Sequence, residues 1–309
     1  DHRPADIAAS FQQAVIDCLV DRTRLALATA GWRFFTFYLL LGIASVLYVA
    51  LGGTRLDLVY TGRNHSDSSL VMFLPKEKII FIPNAADFTL AEKLEKDFDP
   101  KKFKHELGFE DKMVITYVGA HGVANHLVQL LDAAERLKDT KVIFQLIGTG
   151  MQKEKLVKEA KERNLNNVIF RDPVPKQEVF KYILASDMGA SVLKKVDTFK
   201  TVYSNKTFDY FSCKKPVLMG IDGVSADLVR DARAGSFVEP ENALEYERII
   251  REYIDNPERL MIEGFNGYAF AKRDFDRDVL AEKYIKYIGY SLTGESFNSD
   301  EIQVKKQFE

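Results

Sequence analysis

Residues 113–119 read MVITYVG, continue through Ala120-His121-Gly122-Val123-Ala124-Asn125, and pass into LVQLLDAAERL at 127–137. A short β-branched run, a turn bracketed by glycines and an amphipathic stretch, in that order, form the first half of a βαβ unit. The same order repeats downstream. Strand-like runs stand at 141–148 (KVIFQLIG), 167–170 (NVIF), 188–193 (MGASVL), 216–220 (PVLMG) and 235–240 (GSFVEP). Helical stretches fall near 123–138, 151–164, 175–185, 204–213 and 223–233, and three more follow at 242–255, 257–271 and 276–288. Strands that alternate with helices imply right-handed crossovers and a parallel sheet. The runs lack polar alternation, as strands covered on both faces do. The expected fold class is α/β, a doubly wound parallel Rossmann-like sheet, preceded by an N-terminal helical segment.

Composition narrows the function. Of 309 residues, 43 are basic and 45 acidic, for a formal net charge of −2. Nucleic-acid binders carry a basic excess or basic blocks, and this chain has neither, so no nucleic-acid partner is expected. Two cysteines, Cys18 and Cys213, cannot build a disulfide framework or a structural zinc site, which points to a reducing compartment.

The N-terminal quarter reads differently. Ile7, Phe11, Val15, Cys18 and Leu19 recur at helical spacing within residues 1 to about 31. Residues 34–53, FFTFYLLLGIASVLYVALGG, are 20 in number and carry no charge, the length of a bilayer-crossing helix. Arg33 and Arg55 bracket the stretch, and Trp32, Tyr38 and Tyr48 suit membrane interfaces. Two back-to-back buried strands give the same pattern. A membrane-spanning helix is the expectation, with the cytoplasmic face of a membrane as location, or the cytoplasm if 34–53 is buried core. About 30 mostly polar residues precede the stretch, unlike a signal peptide. The expected division is 1–77 as a helical, hydrophobic segment, 78–290 as an α/β domain, and 291–309 as a polar tail.

Open parallel sheets bind ligands beyond the carboxyl ends of their strands, so the loops there hold the candidate site. Gly119 and Gly122 allow close backbone approach to an anion at a helix N-terminus, and the same turn also serves as a plain tight connection. Gly148-Thr149-Gly150 is equally ambiguous. Arg171-Asp-Pro-Val-Pro175 is stiffened by its prolines and could present backbone groups to a flat base. Residues 194–203 are long and polar, which suggests a mobile or ligand-ordered loop. Ser204 and Asn205 are N-cap types. Lys206 in the first turn opposes the helix dipole unless an anion balances it, and Asp209 one turn on can accept ribose hydrogen bonds. Together these suggest a nucleoside-diphosphate site.

Five motifs carry a family resemblance: IIFIPNAADF (79–88), YVGAHGVAN (117–125), FRDPVPKQEV (170–179), SNKTFDYFSCKKPVLM (204–219) and GVSADLVRDARAGSFVEPEN (223–242). From Lys78 to about Ile288 the chain resembles the C-terminal, donor-binding half of GT-B glycosyltransferases of the family-4 type, in the branch that builds bacterial cell-surface polysaccharides. The resemblance implies transfer of a sugar from a nucleoside-diphosphate sugar, UDP-linked, to a saccharide or polyprenyl-linked acceptor, with retention and with no cofactor or metal. It places Gly119, His121 and Gly122 beside the diphosphate or sugar. It puts the Val174 backbone at the nucleobase, Lys206 at the diphosphate and Asp209 at the ribose; it names no catalytic residue. The family's Glu-x7-Glu pattern is half present, because Thr201 stands at its first position. A full GT-B enzyme carries an acceptor-binding domain before the donor half. The 77 residues available are too few for a complete one, so a partner chain supplying it is the alternative expectation. Residues 5–23 resemble one helix of the tRNA threonylcarbamoyladenosine-forming carbamoyltransferases, without that family's metal ligands. A natural fusion, a chimera and a misassembled sequence all fit that pairing.

Overall fold

The structure, a computed structural model, describes the backbone of residues 45–51, 54–60, 70–73 and 79–82, and residues 86, 88–280 and 282. The chain divides into two units, one of Asp1–Ile82 with Tyr284–Glu309 and one of Pro83–Lys283.

In the first unit, β1 (Ser45–Leu51), β2 (Thr54–Tyr60), β3 (Leu70–Phe73) and β4 (Ile79–Ile82) make an antiparallel sheet in sequential order. At 45–51, 54–60 and 70–73 this corrects the helical reading of the stretch before residue 78, so that the part of 34–53 that is described is strand. Residues 45–51 satisfy their backbone groups by pairing with β2, from Ser45 opposite Tyr60 to Leu51 opposite Thr54. That register leaves two residues, both glycine in the sequence, for the connection, and two-residue hairpin connections favour glycine. Among the described residues no helix is long and apolar enough to cross a membrane. The expected helix at 1–31, residues 34–44 and the tail 291–309 lie outside the described residues.

The second unit opens with α1 (Phe88–Asp97) and α2 (Pro100–Glu106). Asp99 caps α2, accepting from the Lys101 and Lys102 amides at 2.9 and 3.1 Å, with Pro100 at the first helical position. Strand and helix then alternate: β5 (Met113–Val118), α3 (Val128–Arg136), β6 (Val142–Ile147), α4 (Lys153–Glu162), β7 (Val168–Arg171), α5 (Lys176–Leu184), β8 (Met188–Val192), α6 (Asn205–Ser212), β9 (Val217–Gly220), α7 (Val224–Ala232) and β10 (Gly235–Phe237). Two helices, α8 (Ala243–Asp255) and α9 (Glu258–Asp274), close the unit. The strands are parallel in the order β7-β6-β5-β8-β9-β10. The chain thus starts in the middle of the sheet, winds one way to β7, crosses back and winds the other way. The strand order reverses between β5 and β8, where a doubly wound sheet opens a crevice.

Two apolar layers sandwich the sheet. Leu130, Leu131, Leu156, Ile249 and Ile250 bury one face from α3, α4 and α8. Phe180, Phe208, Phe211, Leu228 and Ala271 bury the other from α5, α6, α7 and α9. Each fully buried side chain of this size contributes about 1.5–3 kcal/mol.

Tyr210 governs the reversal. β5 and β8 pair at Ile115–Met188 and Thr116–Gly189. Beyond that, the Tyr210 hydroxyl sits between the strands, accepting from the Val118 amide and donating to the Ala190 carbonyl, each at 3.1 Å. The ring passes over Gly189, where a methyl group would lie 2.3 Å from it. Removing the hydroxyl leaves a buried donor and a buried acceptor unpaired, so Tyr210→Phe is expected to cost about 1–3 kcal/mol in urea denaturation. An unchanged midpoint would show that the strands close up without it.

Candidate functional site at the strand-order reversal

The loops beyond β5, β6, β7 and β8 meet where the strand order reverses. Gly119 follows β5 with φ +144°, its amide bound to the Ile147 carbonyl at 3.0 Å. A side chain there would meet the Lys206 Cε at 3.4 Å, so the glycine and the lysine are neighbours. Gly148 comes closer still, since a methyl group on it would lie 1.9 Å from the Gly119 carbonyl oxygen. The two glycine turns therefore pack backbone to backbone, which no side chain permits.

Lys206 lies in the first turn of α6, half-buried, with its ammonium 5.0 Å above the centre of the Tyr117 ring. Burial pushes its pKa down to about 8, and the Asp209 carboxylate pulls partly the other way. Asp209 also faces Lys176, at 4.0 Å. Lys176 opens α5 directly after the Val174 turn, so the proposed base, ribose and phosphate residues adjoin. Val174 itself is half-buried between Pro173 and Pro175.

His121 is fully buried, and neither ring nitrogen has a hydrogen-bond partner. Its ring packs against Tyr117 and Phe170 at centroid distances of 6.1 and 6.2 Å. Burial first, and then the charge of Lys153, push its pKa down to about 4, so the imidazole is neutral at physiological pH. The buried Asn125 Oδ1, 3.2 Å from where a side chain on Gly122 would begin, and the Thr207 Oγ1 beside Lys206 are unbonded too. Orphaned buried polar atoms are uncommon; those of His121 and Asn125 stand in the loop after β5 and that of Thr207 in the first turn of α6, while a further one, Asn167 Oδ1, lies just before β7.

The helix starts add to its field. The N-cap residues of α3 to α7 (Leu127, Gln152, Pro175, Ser204 and Gly223) make no side-chain capping bond. Ser204 occupies the expected N-cap position, but its Oγ pairs with Ser191 Oγ at 2.5 Å instead. Five helix N-termini at one rim, none capped by the side chain of its own N-cap residue, favour an anion.

One expectation shifts. Residues 194–203 are tied down. The Lys194 amide donates to Ala124 at 2.8 Å, Lys195 bonds Glu239 and Glu241, a 3-10 turn spans Asp197–Thr201, and Ser225 Oγ holds the Val202 carbonyl at 2.6 Å. Thr201 is exposed and bonds locally to Thr198. Lys153 escaped the sequence reading. Its ammonium caps the Gly148 and Arg171 carbonyls at 2.9 and 3.0 Å and Asp172 at 2.7 Å, fixing the turn that carries Val174. A lysine just after Gly148-Thr-Gly150, in a first helical turn like Lys206, was the available signal.

Residues 98–270, more than half of the chain, match the family described as glycosyl transferases group 1. The chain belongs to that family. It is 34% identical over 95 residues to WcaI of Escherichia coli K12, named for colanic acid biosynthesis, a match covering 30% of this chain and 23% of WcaI. A 30-residue match, 73% identical, links it to the tRNA N6-adenosine threonylcarbamoyltransferase of Novosphingobium aromaticivorans, over 10% of this chain and 9% of that protein. The chain thus spans about a quarter or less of these relatives. Among solved structures, Anabaena HepE in complex with UDP-glucose superposes with a TM-score of 0.58 at 20% identity, over 67% of this chain and 56% of HepE. WaaG, of lipopolysaccharide biosynthesis, gives 0.53 at 15% identity over 62% and 51%. At those identities the likeness establishes the GT-B-type fold.

Gly148→Ala is expected to force the Gly119 turn away from Lys206 and cost roughly 1–3 kcal/mol, as overpacking does. Thermal unfolding checks this; a wild-type transition would mean the turns are looser than their spacing indicates.

Proposed function

We propose that the unit of Pro83–Lys283 binds a nucleoside-diphosphate sugar, UDP-linked, and serves its transfer to a saccharide or polyprenyl-linked acceptor with retention. One observation carries the reading. A half-buried lysine stands in the first turn of α6, opposing the helix dipole, in contact with a glycine turn that closely approaching ligands can use. A diphosphate resolves that conflict, because its charge is stabilised by Lys206 and by the helix N-termini together. Asp209 then accepts ribose hydroxyls and the Val174 backbone meets the base. In the transfer step negative charge grows on the leaving diphosphate, and these fixed positive groups stabilise it without reorganising. His121, neutral and buried, forms the floor beside the diphosphate, and Gly122 lets the ligand pass close to the backbone. No metal ion or cofactor enters the proposal.

The chain spans 56% of HepE and 51% of WaaG. A second reading is a nucleotide-sugar-binding subunit that transfers only when a partner chain supplies the acceptor-binding half. Sugar transfer by the lone chain decides for the first reading. Action at the cytoplasmic face of a membrane, where such donors and polyprenyl acceptors meet, belongs to the same proposal; recovery of the chain wholly in the unbound fraction after vesicle sedimentation would remove it.

Calorimetric titration with UDP, GDP and ADP tests the donor site. UDP is expected to bind, and Asp209→Ala to weaken it by about 1–3 kcal/mol. No binding of any of the three would remove the reading.

The pH profile tests Lys206. The terminal phosphate completes its own titration near pH 6, so it is invariant above about pH 7. Lys206 loses its proton near pH 8 in the free protein, and a bound diphosphate favours the charged form. Affinity should therefore be level only between about pH 7 and 8, fall below 7 as the phosphate takes up its proton, and fall above 8 by up to about tenfold per pH unit. Lys206→Gln should weaken binding and flatten the profile. A level wild-type profile to pH 9.5 would remove Lys206 from the phosphate.

A further inference from the structure

Gln129, on α3, is buried and uses all four of its hydrogen-bonding positions. Its Nε2 donates to the His126 carbonyl at 3.1 Å and the Leu193 carbonyl at 3.2 Å. Its Oε1 accepts from the Glu241 amide at 3.1 Å and the Tyr246 hydroxyl at 2.9 Å. The three backbone groups belong to three separate segments, those following β5, β8 and β10. One primary amide therefore sets the relative height of three rim loops.

Two of the residues it holds are strained. His126 and Glu241 have φ of +47° and +67°, the left-handed region that non-glycine residues enter at a cost. Their side chains approach to 3.8 Å. Glu241 Oε1 also accepts from the Lys195 amide at 2.9 Å, and the Lys194 amide donates to Ala124 at 2.8 Å. Segments 122–126, 193–195 and 239–241 are thus braced into one wall, and the bond at its centre is out of reach of water. Such strain persists where the surroundings over-determine it, typically at ligand sites.

We propose that Gln129 is a positioning residue for the transferred sugar, fixing the wall of the donor site that the sugar meets. This rests on the donor reading above. In a nucleotide sugar, base, ribose, diphosphate and sugar follow in line. The Val174 turn, at the β7 edge, takes the base, while Gly119 and Lys206 take the diphosphate at the reversal. The braced wall begins three residues past Gly119 and lies on the β8 and β10 side, away from Val174. The sugar is the remaining part of the ligand that can face it.

Calorimetry on the full chain with UDP and with UDP-glucose tests this, using Gln129→Met, which keeps the side-chain volume and removes all four bonds. Tyr246→Phe is the control, since it removes the bond to α8 and leaves the three loop bonds. Gln129→Met is expected to weaken UDP-glucose by about tenfold and UDP by less than about twofold. Tyr246→Phe should lower the melting temperature and leave the ratio of the two affinities at the wild-type value. Hydrogen exchange should rise together in 122–126, 193–195 and 239–241 of Gln129→Met. Equal weakening of both ligands, an unchanged ratio, or the same altered ratio in Tyr246→Phe would reduce Gln129 to a structural residue. A wild-type chain that binds UDP and UDP-glucose equally, with Gln129→Met doing the same, would likewise overturn it. Failure of the wild type to bind UDP at all would instead remove the donor reading.

Discussion

The Tyr210 hydroxyl stands between two strands that would otherwise finish their ladder, and the crevice depends on it. A parallel sheet that reverses its strand order must part its central strands at the carboxyl end, and the parting exposes backbone groups. One phenol, donating to one strand and accepting from the other, satisfies both. Because Tyr210 is on α6, the same residue fixes the helix that carries Lys206 and Asp209. Gly189 is the matching concession in the strand, since any side chain there would collide with the ring. The fold and the site are therefore set by a single wedge.

The charges around the crevice are arranged against local stability. Lys206 sits at the wrong end of a helix dipole and half out of water, and His121 is buried without a partner. Each costs the folded chain something; the Tyr117 ring and the Asp209 carboxylate offset part of the lysine's cost, and the His121 nitrogens have no hydrogen-bond partner. Elsewhere the same unit follows the ordinary rules: Asp99 and Asn242 cap their helices. Both of these departures lie at the crevice, and the diphosphate proposed to bind there would relieve the lysine's conflict.

The N-terminal correction has a plain origin. Residues 45–51 are apolar and uncharged, and hydrophobicity alone does not separate a strand from part of a long helix. What separates them is where the backbone hydrogen bonds go, to a neighbouring strand or to the fourth residue back. The pairing with 54–60 supplies that answer.

The sequence by itself determined the order of the strands and α-helices from 113 to 255 and most of their limits, because periodicity, β-branching and glycine turns act within a few residues; it missed the late start of α3 at Val128 and the 3-10 turn at 197–201. It also marked Gly119, Lys206 and Asp209, since their types and their places in turns and first helical turns are local facts. Tertiary structure decided the strand order, the wedge of Tyr210 between one strand 92 residues away and another 20 residues away, the tie-down of 194–203, and the joining of three loops by Gln129. Each of these pairs groups far apart in sequence, and a side chain such as Tyr210 or Gln129 carries no mark of its partner. Only closing the intervening chain brings the partners within hydrogen-bonding reach.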